Sequence, residues 1–108
     1  MNHPNIRDFR AVESVRDMAG NGRNIRVTGE VELTSTGARA RLTRRSPQGI
    51  IASTLVLVLE VTPGGGGAAM TWREVDYAED ISPGQFNKVT VQMGEATLVE
   101  MPVDEVHS

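Results

Sequence analysis

Four arginines, Arg39, Arg41, Arg44 and Arg45, fall within seven residues of one another, and four carboxylates, Glu74, Asp76, Glu79 and Asp80, crowd a second stretch of the same length. A row of guanidiniums can grip phosphates, but nucleic-acid binding also uses aromatic rings interleaved for stacking, and none lies among these arginines. Clustered carboxylates can hold a hard cation or divide acid and base roles. The Asp-x-Asp-x-Asp-Gly pattern of a calcium loop is missing, and one local cluster does not set the separation that hydrolytic carboxylate pairs need. A solvated strand or loop face is the favoured reading of the acidic cluster, and a cross-strand scaffold that of Arg39 and Arg41.

The glycine run 64–67 offers consecutive backbone amides, the raw material of a phosphate cradle. No Lys-Ser or Lys-Thr follows it, and Ala68, Ala69, Met70, Thr71 and Trp72 read as a strand rather than the helix that would complete such a site. It is expected to be a flexible hairpin tip. The two histidines, His3 and His107, sit near the ends of the sequence, where a rigidly held base or zinc ligand is not expected. The sequence contains no cysteine, so disulfides, thiolate metal sites and a cysteine nucleophile are excluded. Lys88 is the only lysine, and no spacing pairs it with a serine nucleophile.

No catalytic, cofactor-binding or metal-ligating residue is assigned from this inventory, and no cofactor is expected. Arg44 and Arg45, which fall beyond the paired part of the arginine row, join Trp72, Glu74 and Asp76 as candidate partner contacts. A lone Trp in a chain with only four large rings is expected to anchor the core, with a surface platform the alternative. The leading functional expectation is a non-enzymatic interaction or ligand-binding module, self-associating or binding a protein partner through a strand edge or apolar sheet face. A small enzyme or metal-dependent binder using the acidic cluster comes second, and nucleic-acid binding through residues 39–45 third.

These side chains need elements to carry them. The clearest lies over residues 24–45, where Ile25, Val27, Val31 and Leu33 alternate with polar residues, as do Ala38, Ala40 and Leu42 across Thr34, Ser35, Thr36 and Gly37. The pattern predicts a two-faced β-hairpin. If Leu33 opposes Ala38, Glu32 faces Arg39 and Glu30 faces Arg41. Residues 5–19 present Ala11, Val12, Val15, Met18 and Ala19 at helical spacing, with Arg10, Glu13, Ser14 and Asp17 opposite, so a short helix ending at Gly20-Asn21-Gly22 is expected. Leu55, Val56, Leu57, Val58 and Leu59 are apolar on both faces, which predicts a central strand covered by a second layer. Further strands are expected over 69–77, 86–93 and 96–101, with Pro102 ending the last.

At 108 residues, 39% hydrophobic and 23% charged, the sequence matches one globular domain, residues 1–108, with 1–4 and 103–108 as frayed ends. The expected fold is mainly β, an antiparallel β-sandwich of immunoglobulin-like or related topology with a short N-terminal helix. An α+β arrangement with that helix packed on a curved antiparallel sheet is the alternative, and a small closed barrel the third choice. No apolar stretch is long enough for a membrane helix, and a cytoplasmic, homo-oligomeric protein is expected, an exported one remaining open. Charge divides unevenly: residues 1–54 hold nine arginines against five carboxylates, and 55–108 two basic residues against nine acidic. Interleaving of strands from the two halves is the expected consequence.

Overall fold

The computed structural model describes residues 4–15, 22–67 and 69–106. Seven strands follow one another: β1 (Ile6–Val15), β2 (Arg23–Leu33), β3 (Arg39–Arg44), β4 (Thr54–Thr62), β5 (Thr71–Ile81), β6 (Lys88–Met93) and β7 (Ala96–Val106). They form one sheet in the order β3-β4-β6-β7-β1-β2-β5. Its two end strands come together through side-chain contacts, and the result is a nearly closed barrel. Four of the six ladders are antiparallel, while β1 with β7 and β4 with β6 run parallel.

The barrel replaces the expected sandwich because β7 serves both halves of the wall. Its first part pairs with β6 as far as Pro102, opposite Lys88, and from Val103 onward it pairs with β1. The strand therefore continues to Val106 instead of stopping at the proline. Pro102 sits where the strand changes partner, a position that tolerates a missing donor.

Among the described residues there is no helix. The expected helix is strand β1 as far as Val15, and its remaining residues, with Gly20 and Asn21, lie outside the described set. A β-bulge hides the strand period. Asp8 and Phe9 together oppose Gly29, and Asp8 takes the left-handed φ of 59°. This resets the alternation, so Ile6, Phe9, Ala11 and Glu13 face inward while Arg7, Arg10, Val12 and Ser14 face out. An ionisable residue on the inward face, Glu13, disguises the pattern further; it is 2% exposed.

The alternation expected for β2 and β3 holds, with Ile25, Val27, Val31, Leu33, Ala38 and Leu42 all buried. Their pairing does not. β2 lies between β1 and β5, and β3 pairs with β4. Glu30 accepts from Arg7 Nε at 2.9 Å and Glu32 from Asn5 Nδ2 at 3.0 Å, while Arg41 Nε donates to Glu60 at 2.7 Å. Arg39, opposite Thr62, has no carboxylate partner among the described residues. A period of two assigns faces, but it does not say which neighbour a strand takes.

β4 is a central strand, with Leu55, Leu57 and Leu59 in the core. Burying each leucine contributes roughly 1.5–3 kcal/mol. Its outward Val56 is covered by the 45–53 loop instead of a second sheet or a helix. Gln48 Nε2 donates to Val56 O at 2.9 Å, and Val56 N–H donates to Gln48 Oε1 at 2.9 Å. The two charge-biased halves do interleave: Arg26 meets Asp76, Arg41 meets Glu60 and Arg44 meets Glu79.

Candidate binding site at the barrel mouth

Strands β2, β4 and β6 end where β1, β3, β5 and β7 begin, and this end of the barrel is its mouth. A cavity of about 350 Å³ opens there. Its floor is Leu33 and Ala38, both buried, with Val61 and Met93 half-buried beside them. Pro4, Pro63 and Met70 form the outer wall, and Met70 is 60% exposed despite its apolar side chain. These residues arrive by alternation: Leu33 and Val61 are inward positions near the ends of β2 and β4, Ala38 continues the inward face of β3 just before its first residue, and together they form the mouth-end limit of the core.

The polar rim is preorganised. Asn5 and Glu32 bind each other twice, Glu32 N–H donating to Asn5 O at 2.9 Å and Asn5 Nδ2 donating to Glu32 Oε1 at 3.0 Å. Ser35 Oγ donates to Gly64 O at 3.3 Å, and Thr36 N–H to Gly67 O at 3.2 Å. The glycine run is therefore clasped to the 34–37 turn, where a looser hairpin tip was expected. Gly37 and Gly64 allow the two backbones to touch, since a Cβ on Gly37 would overlap Gly65 O and one on Gly64 would overlap Gly37 O. The need is for close approach rather than mobility. Each methylene that a ligand buries against the apolar floor gains roughly 0.8 kcal/mol.

The candidate contacts read from sequence are dispersed. Arg44 and Arg45 stand at the far end of the barrel. Arg44 Nη1 donates to both oxygens of Glu79, at 2.9 and 2.7 Å, and Arg45 Nη1 donates to Gln92 at 2.6 Å. Trp72, Glu74 and Asp76 lie on the outer face of β5. Trp72 is half-buried outside the core, with the Arg7 guanidinium stacked 3.8 Å from its ring centroid. Asp76 accepts from Arg26 at 3.0 Å, and Glu74 stands opposite Glu30. The acidic cluster is thereby divided: Glu79 points inward, while Glu74 and Asp76 point out. No group of three metal-ligating side chains occurs among the described residues. His3 and His107 lie outside them.

Tyr77 donates to Glu79 Oε1 at 3.1 Å. Burial raises its pKa above the usual phenol value, and the negative charge of Glu79 adds to the effect.

No family model matches the chain, and neither a curated protein nor a solved structure matches it. Among the described residues no helix is long and apolar enough to cross a membrane. The mouth residues Asn5, Glu32, Met70 and Met93 escaped sequence reasoning because they come from four separate segments. The one local signal was Met70, a large apolar residue three positions after the glycine run.

Proposed function

We propose that the protein is a non-enzymatic binding module that takes a small, largely apolar molecule into the barrel mouth. The observation that carries this reading is the cavity of about 350 Å³ between the buried floor of Leu33 and Ala38 and the exposed side chain of Met70. Small-molecule sites are concave and mostly apolar with a few fixed polar groups, and the mouths of β-barrels are among their usual places. The Asn5–Glu32 rim supplies such groups, held by two mutual hydrogen bonds. An exposed methionine at the entrance suits ligands of varied shape, because its unbranched thioether repacks easily.

The test is a thermal-shift screen of apolar molecules of graded chain length, followed by titration of the best binder. A ligand at about 100 times its Kd adds roughly 2.7 kcal/mol and raises the midpoint by several degrees. Met70→Asp, at a position exposed enough to leave the fold intact, is expected to weaken binding at least tenfold by placing a charge at the entrance. Binding that ignores this substitution places the site elsewhere, and a screen without any shift removes the proposal.

A further inference from the structure

The barrel wall is incomplete between β3 and β5. Arg45 N–H donates to Val56 O at 3.0 Å in the antiparallel register of β3 with β4. Residues 39, 41 and 43 therefore exchange their backbone bonds with β4, and the N–H and C=O groups of Ala40 and Leu42 turn away from it. They face the seam, where no ladder joins β3 to β5. Near the mouth the seam widens into a groove of about 340 Å³, lined by residues 36–40 on one bank and by Arg73 and Glu74 on the other.

The charges of this groove are uncommitted. Arg7, Arg23, Arg26, Arg41 and Arg44 each have a carboxylate within 4 Å. Arg39 has none among the described residues, and Arg73 Nη2 donates only to the backbone oxygen of Thr36, at 2.9 Å. Glu74 lines the same bank but lies within 4 Å of neither guanidinium. A strand edge with free donors and acceptors therefore stands beside two arginines that have no counter-ion among the described residues, and it has a specific complement. We propose that the groove binds an extended peptide segment, which adds a short strand to the mouth-end edge of β3 and sets a carboxylate against Arg39 and Arg73. Backbone pairing supplies the binding surface, and the arginines select the anionic residue, as in other cases of strand addition. The groove meets the apolar mouth at Ala38, but Ala40, Arg39 and Arg73 line only the groove, so either reading stands without the other.

The test titrates the full chain with acetyl-Val-Thr-Val-Asp-Val-amide, its Asn counterpart, and an Asn peptide with a free C-terminus, while following backbone amide resonances. Expected is tighter binding of the Asp peptide than of the amidated Asn peptide by tenfold or more, with amide exchange at Ala40 and Leu42 slowed. Binding by the free-acid Asn peptide alone assigns the carboxylate to a chain terminus instead of a side chain. Arg39→Gln alters a side chain that holds no carboxylate among the described residues, and it is expected to bring the Asp peptide down to the Asn level. Arg73→Gln, checked for an unchanged near-ultraviolet spectrum, is expected to do the same. Equal binding of all three peptides, no binding, shifts that spare Ala40 and Leu42, or equal shifts from acetate alone would each overturn the proposal.

Discussion

Arg44, the last residue of β3, holds Glu79 of β5 through both carboxylate oxygens, at 2.9 and 2.7 Å, across a seam that no backbone ladder closes. The side chains are 41% and 19% exposed, so solvent screens part of the attraction. A contribution of about 1 kcal/mol is expected, toward the upper end for partly exposed pairs. Arg44→Ala should lower urea stability by that amount. It should also speed amide exchange at Arg41 and Thr43, whose backbone bonds hold β3 to β4, more than in the core of the barrel, because β3 loosens as a local unit once the seam opens. Exchange that rises uniformly through the barrel would show that the pair supports only global stability.

Alternation made the inward faces of β2, β3 and β4 legible, and the strand apolar on both faces did prove central. Two features were hidden for physical reasons. In β1 the bulge at Asp8 and Phe9 breaks the period of two, and Glu13 puts a carboxylate where the pattern calls for an apolar side chain. The short amphipathic stripe left behind resembles a helix. The choice of partner strand was the second, since β2 and β3 are consecutive but sit in different parts of the wall. Arg39 was thus assigned a partner that it lacks, and the groove beside it was invisible. The mouth cavity depends on five segments meeting at one end, which no local pattern encodes.

Gly29 is the sole residue that fits its place in β2. It lies opposite the bulge, and a Cβ there would run into the Phe9 ring. Gly29→Ala is expected to cost roughly 1–3 kcal/mol through overpacking. The loss should shrink when Phe9→Leu is introduced as well, because residues in contact do not act additively. Additive losses in a denaturant double-mutant cycle would contradict the ring-on-backbone packing.

Tyr77 is the only tyrosine, so phenolate absorbance reports its titration directly. Its pKa lies above 10.0, raised by burial and by Glu79. The unfolded chain then ionises first, and the resulting stability is fully present below about pH 10 and falls as pH rises through the folded-state value. Tyr77→Phe should remove this alkaline loss. Phenolate forming at or below the ordinary pKa in the folded protein would contradict the assignment.

Glu13 is the most exacting test of the fold's electrostatics. Its Oε2 accepts from Gly84 N–H at 3.2 Å and lies 3.8 Å from Arg23 Nε, whereas Oε1 and Arg23 Nε lack a hydrogen-bond partner among the described residues. Such a pair is held at a desolvation cost, and removing one member strands the other. Glu13→Ala is therefore expected to destabilise by about 3 kcal/mol, somewhat below the fully buried case because Arg23 is 21% exposed. Glu13→Gln should cost less, since its amide oxygen can still accept from Gly84. Replacing Glu13 and Arg23 together by leucine should recover most of the loss, because neither charge is then left without its counterpart. Urea denaturation of the three variants distinguishes this from simple cavity formation. In that case the double variant would be no more stable than Glu13→Ala, and the stranded charge of Arg23 would not be the source of the cost.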